Sequence, residues 1–251
     1  MIILYLYEGV IYAMQTKIDV FNSNIFGINM ANIILHEKNV SSDSLIKLIN
    51  GARNSNINSL SVKIDTGEKF LTNIFLDKGF LLVDTQIMFS IALDTEHVIP
   101  MDGLSIDLCR PQDIPNIIKI AGYAFKIDQF HSNPFLDDGK CDNYYKQWAK
   151  NSCEGFADAV ICLKKQDEVI SFLTLHYDNK DATVGLAAVD TVYQGNDFFK
   201  QMMVETIYWL FQKGFKKLYY GTQLSNLPVL RTLVSLGGKP EFSKYVLNLM
   251  L

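Results

Sequence analysis

A chain of 251 residues has room for two modest domains or one large one, and 49% hydrophobic with 12% aromatic residues is ample for a packed core. A formal net charge of −4 leaves no basic footprint and argues against nucleic acid as a partner. The four cysteines (Cys109, Cys141, Cys153, Cys162) form no CxxC pair and no metal-ligand spacing with the four histidines, so they read as reduced thiols of a cytoplasmic, metal-free protein. The opening MIILYLYEGVIYAM is apolar, but it lacks a basic region, carries Glu8 and is too short to span a bilayer. It reads as a strand or hairpin, with Met14 as an alternative start and no membrane partner. No internal repeat is visible.

Asp19–Gly27 predicts a polar turn with aromatic anchors, followed by a strand over Met30–Leu35. Ser41 or Ser42 caps a helix through Ile49 that Gly51 closes. Leu60–Ile64 alternates like a strand, Thr66–Lys78 reads as a helix ended by Gly79, and Phe80–Ala92 as one or two strands. The polar stretch Asp94–Gly103, with Pro100, is the linker candidate. It divides the chain into a small α/β domain over residues 1–101 and a second domain over 102–251.

The second domain opens with a strand at Leu104–Leu108 and a helix over Ile117–Phe125. An irregular aromatic stretch, Asp128–Phe135, leads into a helix over Cys141–Asn151. Strands follow at Ala157–Lys164, Val169–Tyr177 and Val184–Val189, with Gln166-Asp167 in the first turn. A helix from Asn196 or Asp197 to Gly214, a strand at Lys217–Tyr220, a helix over Pro228–Leu236 and a strand at Phe242–Leu251 complete it. The unit from Thr183 to Gly214 aims free N–H groups and the positive end of a helix dipole at one point, a ready anion site.

The order β-α-α-β-β-β-α-β-α-β is similar to that of the GNAT acyltransferases, which grip the pyrophosphate of acyl-CoA with a loop of the form Q/R-x-x-G-x-G/A. Here that loop is Gln194-Gly195-Asn196-Asp197-Phe198-Phe199, with Asp197 and Phe199 where the later glycines belong. Further short motifs resemble the dTDP-fucosamine N-acetyltransferase family: Asp128-Gln129-Phe130-His131 with Pro134, Trp148 with Asn151-Ser152, Ala157-Asp158, Gly185-Leu186, Ala188-Val189, Thr222-Gln223, Asn226, Leu230-Arg231 and Gly237. Phe26-Gly27, Gly79-Phe80 and Val83-Asp84-Thr85 carry the resemblance into the first domain. The family's tyrosine after LR-L is Leu233.

The resemblance implies an α/β (α+β) chain: a C-terminal GNAT fold with a central mixed sheet, preceded by a small α/β domain. It implies acyl transfer from acyl-CoA (acetyl or a short hydroxyacyl such as 3-hydroxybutyryl) to the amine of a dTDP-linked aminodideoxyhexose, for O-antigen or other surface glycan. Coenzyme A would be held by Leu186, Ala187, Ala188, Val189, Gln194, Gly195, Asn196, Asp197, Phe198, Asn226 and Arg231. Phe125, Phe130, Trp148, Asn151, His176 and Gln223 would meet the dTDP-aminosugar, with His131, Asp128 and Tyr220 as the titratable groups of catalysis. The plainer readings are Asp197 as a helix cap, His131 as a loop pin and His176 as a satisfied sheet histidine. A homodimer is left open. Two other readings stand beside this one: a degenerate GNAT domain serving as a binding or regulatory module, and a protein or antibiotic N-acetyltransferase.

Overall fold

A computed structural model describes residues 14–36, 40–94 and 106–251. The chain divides into two compact units, Met1–Asp84 with Lys244–Leu251, and Thr85–Ser243. The expected junction at 101/102 lies outside the described residues. The two units meet in sequence at Asp84/Thr85 and at Ser243/Lys244, because the last strand of the chain returns to the first unit.

The first unit contains strand β1 (Met14–Ile18), helix α1 (Val20–Phe26), β2 (Met30–Leu35), α2 (Ser42–Asn54), β3 (Ser59–Asp65), α3 (Lys69–Leu76) and the start of β4 (Leu81–Ala92). β1 pairs antiparallel with β2, and β2 runs parallel to β3. The end of strand β10 (Lys239–Met250) lies antiparallel to β3. In β3 the strand period puts Leu60, Val62 and Ile64 inside and Lys63 and Asp65 outside. Leu45 and Ile49 of α2, Phe75 of α3, Phe80 and Leu247 close over them. Buried Asn248 donates to Ser59 Oγ at 2.9 Å and to the Leu60 carbonyl at 3.1 Å, which fixes the register of β10 on β3.

The second unit runs through β5 (Ile106–Leu108), α4 (Ile114–Ala124), α5 (Asp138–Asn151), β6 (Ala159–Lys165), β7 (Glu168–Asp178), β8 (Asp181–Val189), α6 (Phe198–Gln212), β9 (Lys217–Gln223) and α7 (Leu227–Ser235) to the start of β10. The strand order β4-β9-β8-β7-β6-β5 is antiparallel except for the parallel pair β8–β9. Its core sets Leu173, Leu175, Val184, Leu218 and Tyr220 against Met202, Met203, Ile207 and Leu210 of α6 and Leu233 of α7.

Three readings of local structure are corrected. Asp19–Gly27 is a two-turn helix, α1, because the Asp19 carboxylate caps the Asn22 N–H at 3.0 Å and Gly27 ends it at φ 68°. Gly51 lies inside α2 and does not close it; nothing crowds its Cα. A repeat is present in the order of elements: β2-α2-β3-α3-β4 is matched by β8-α6-β9-α7-β10. The hairpin read over the opening residues lies outside the described residues, apart from Met14.

Candidate functional site

The second unit opens at one place. β8 and β9 pair from Asp181↔Lys217 to Val184↔Tyr220, and the ladder stops there although both strands continue. The cause lies on the other side of β8. Its register with β7 shifts between Leu173↔Ala187 and Leu175↔Val184, so that Gly185 and Leu186 together face Thr174. Such a bulge bends its strand away from the neighbour. Thr174 Oγ1 fixes it by accepting the Leu186 N–H at 2.8 Å. A Cβ on Gly185 would lie 2.8 Å from that hydroxyl and 3.1 Å from His176 Nε2, so only glycine fits without a shift.

Beyond the bulge the backbone groups alternate in direction. The Asp190 N–H donates to the Ile170 carbonyl and Ala188 C=O accepts from Ser171 Oγ, both on the β7 side. Ala187 and Val189 therefore turn their N–H and C=O groups to the side that β9 has left. Gln194 Nε2 covers the Val189 carbonyl at 3.2 Å.

The loop after β8 brings a second set of donors to the same end. Asp190 caps a short turn at the Val192 N–H, and Gly195 (φ 81°) and Asp197 (φ 58°) carry the chain through left-handed conformations into α6. Asp197 stands at the cap position, yet its side chain makes no cap bond, contrary to the capping expected of it. Its left-handed backbone accounts for this, since a capping side chain requires an extended one. The first bond within α6 is made by the Gln201 N–H, so the N–H groups before it keep the dipole's positive end unneutralised. Gly195, Asn196 and Asp197 are exposed, and Phe198 is half-buried against Tyr193. These donors and Lys200 can hold a diphosphate.

On the opposite face of the sheet, α4 and α5 carry the aromatic residues. Phe125 stacks on Tyr145 at 4.4 Å, and Phe130, 6% exposed, packs on Tyr144 at 4.4 Å. Both rings are used up in packing, as Trp148 is against Tyr144 and Tyr145. The rings left uncovered are Phe135 and Phe156. Asn151, half-buried, ends α5, where a wide turn over Ser152–Phe156 follows. Buried Trp148 Nε1, Gln129 Oε1 and Ser152 Oγ have no hydrogen-bond partner among the described residues.

Both ring nitrogens of His131 are engaged by carboxylates. Its Nδ1 meets Asp128 Oδ2 at 2.5 Å and its Nε2 meets Asp142 Oδ1 at 3.1 Å, while Asp128 Oδ1 accepts the N–H groups of Phe130 and His131. Lys126 also pairs with Asp142. Burial works to raise the Asp142 pKa, but Lys126 and His131 outweigh it and hold the carboxyl below its ordinary range. The sequence put His131 and Asp128 among the catalytic groups; here they clasp the loop between α4 and α5. His176 is the other described imidazole of the second unit. It stands on β7 against Gly185, edge-on to Phe156 at 5.2 Å, with no hydrogen-bond partner among the described residues.

Tyr220 is 6% exposed and occupies the last rung of the β8–β9 ladder, edge-on to Phe199 at 6.0 Å. Burial pushes its phenol well above the ordinary range, so it stays protonated. Asn226 begins α7 without a side-chain cap bond, Gln223 ends β9 and Arg231 is exposed. Leu233, at the family's tyrosine position, is fully buried in the core. Sequence spacing also gave no hint that Cys109, Cys162 and Asp113 converge within 4.8 Å. Hydrogen bonds from Cys153 and Cys162 lower the Cys109 thiol to about 4 and raise the two donors.

No family model matches the chain. Over 170 residues it is 24% identical to a dTDP-fucosamine acetyltransferase of Escherichia coli O6:H1, across 66% of this chain and 70% of that protein. Over 136 residues it is 24% identical to the spore coat polysaccharide biosynthesis protein SpsD of Bacillus subtilis, across 54% of this chain and 47% of that protein. Among solved structures, a GCN5-related N-acetyltransferase from Sphaerobacter thermophilus matches with a TM-score of 0.68 at 11% identity, over 95% of this chain and 76% of that one.

Proposed function

We propose, starting from this GCN5-related N-acetyltransferase fold, that the chain moves an acyl group from acyl-CoA to the amine of a dTDP-linked aminodideoxyhexose in surface-glycan synthesis in the cytoplasm. The observation that carries the reading is the parting of β8 from β9 beside the uncapped N-terminus of α6. It offers two sets of backbone donors in line, one suited to a thioester arm and one to a diphosphate. Acyl-CoA bound there supplies an activated acyl carbonyl. The Ala187 and Val189 N–H groups would polarise it, and Gly195 to Phe198 would hold the diphosphate. The thymidine acceptor is suggested by the likeness to the dTDP-fucosamine acetyltransferase.

Amide formation needs a base for the amine proton and a donor for the departing thiolate. His176, beside the bulge and without a hydrogen-bond partner among the described residues, takes the first role, and Tyr220, protonated at the ladder's last rung, the second. No thiol nucleophile is required. Cys141 is raised to about 12, chiefly by burial, and the other three cysteines lie on and around β5 and β6. Leu233 and Met202 are both fully buried, which favours the acetyl donor over 3-hydroxybutyryl.

Asp197 and Phe199 in the phosphate loop favour a second reading, a CoA-binding module without turnover. The test is release of free CoA from acetyl-CoA with a dTDP-aminodideoxyhexose and with its UDP counterpart, read beside calorimetric CoA binding. Turnover that prefers dTDP supports the enzyme. CoA binding without release selects the module, and no CoA binding overturns both.

A further inference from the structure

We propose that Cys109, Cys153, Cys162 and Asp113 form a closed four-ligand site for a thiophilic divalent cation, zinc foremost. The edge of the second unit's sheet builds it. Asp107 pairs with Cys162, and the Cys109 N–H continues the ladder to the Val160 carbonyl at 2.8 Å. Alternation along two antiparallel strands therefore puts Cys109 and Cys162 on one face of the sheet. The turn at Pro111–Asp113 brings Asp113 over the same spot. The ligand atoms of Cys109, Cys162 and Asp113 all lie within 4.8 Å of one another. Cys153, on the wide turn after α5, stands outside that trio and would complete the set by turning its thiol inward.

The donor set has the character of a metal site. Ligand atoms around a tetrahedral zinc, at about 2.3 Å for sulfur and 2.0–2.2 Å for oxygen, are roughly 3.5–4 Å apart, a small rotamer adjustment from the spacing seen. Cys162 (0% exposed) and Asp113 (4%) are buried. Asp113 Oδ2 is taken by Lys164 Nζ at 2.7 Å and the Arg110 N–H at 2.8 Å, which orients the carboxylate and leaves Oδ1 for the cation. The Lys164 ammonium also offsets the charge of three thiolates. Three sulfurs and one oxygen select zinc over magnesium or calcium, which take oxygen ligands. With all four positions filled by side chains no water position remains, so the ion would be structural. It would tie the three-residue edge strand β5 to β6 and to the end of α5.

The full chain, stripped of metal under reducing conditions, is titrated with cobalt as a spectroscopic probe and then with zinc. The expected result is one cobalt per chain with thiolate-to-cobalt charge-transfer absorption and tetrahedral d–d bands, bleached by zinc. Cys109→Ser and Cys162→Ser should each weaken binding by at least tenfold, and Cys141→Ser should leave it unchanged. The wild-type titration decides even if a variant misfolds. Absence of the charge-transfer band at stoichiometric cobalt overturns the proposal. So does a metal-free chain, as isolated, holding a disulfide between Cys109 and Cys153 or Cys162.

Discussion

Exchanging the fates of two histidines separates the clasp from the chemistry. His131→Ala removes the group that joins Asp128 and Asp142, and Asp128 is 2% exposed. Deleting one partner of a buried pair costs about 3–5 kcal/mol, and here Asp128 would keep only the Phe130 and His131 N–H groups on Oδ1 and lose its partner on Oδ2. At about 2–4 °C per kcal/mol for a chain of this size, Tm should fall by roughly 6–20 °C. The folded fraction, assayed well below the new midpoint, should keep kcat within about tenfold. His176→Ala should do the reverse. Its ring makes no hydrogen bond among the described residues, so Tm should move by only a few degrees. Loss of a positioned base should lower kcat by about 10²–10⁴-fold. The assay is calorimetry on both variants, paired with kcat and KM for acyl-CoA and acceptor. If His131→Ala loses activity at an unchanged Tm while His176→Ala remains active, the clasp reading is wrong and His131 is the base.

The remaining expectations are shorter. The Asp142 carboxyl is held below its ordinary range in the folded chain, so its contribution is complete above the unfolded value near 4 and is lost as pH falls through the lower folded one; Asp142→Asn should flatten that acid limb in melts at stepped pH. Asp197→Gly frees a left-handed position from its side chain and removes a charge beside the α6 N-terminus. KM for acyl-CoA should fall a few-fold, and an unchanged value would mean that the diphosphate sits elsewhere. Gly185→Ala drives a methyl to within 2.8 Å of Thr174 Oγ1, which should cost about 1–3 kcal/mol in urea melts and lower kcat as the bulge relaxes. In the metal-free chain, iodoacetamide at neutral pH should label Cys109 first, ahead of Cys141, Cys153 and Cys162, read by peptide mass mapping, since the Cys109 thiol is lowered to about 4 and the other three are raised.

What the sequence revealed follows the range of its signals. Element order and the strand–loop–helix unit are local patterns, and β8, α6, β9 and α7 form where periodicity and turn residues place them. The bulge at Gly185 was not legible, because it depends on how β7 and β8 align, and the apolar pattern of one strand does not record the register of its partner. His131 looked catalytic because histidine between aromatics resembles a site. Its two carboxylate partners lie three residues before it and eleven after, and only the packing of the loop on α5 brings the second one in. The cysteines lay hidden in the same way. Cys109 and Cys162 stand far apart in sequence and meet through strand pairing, which no spacing rule reports.

The repeated series of elements shows what makes one copy a site. In the first unit β2 runs parallel to β3 from Met30↔Ser59 to Ile33↔Val62, the counterpart of β8 on β9. Its other neighbour, β1, pairs with it in unbroken register from Met14↔Leu35 to Ile18↔Ala31. β2 has no extra residue, and past the last pair, Ile33↔Val62, it runs only to Leu35, whereas β8 runs from Val184↔Tyr220 on to Val189. The helix that follows is also closed at its start, because Ser41 accepts the Ser44 N–H at 3.1 Å, whereas α6 begins on Asp197 with no such bond. A common plan of strand, helix and strand therefore gives the proposed acyl-CoA cleft only where a bulge and an uncapped helix coincide. Inserting a residue opposite the β1–β2 ladder would supply the bulge alone, and removing Ser41 would supply the free helix end alone. By this reasoning neither change by itself gives the first unit an affinity for CoA.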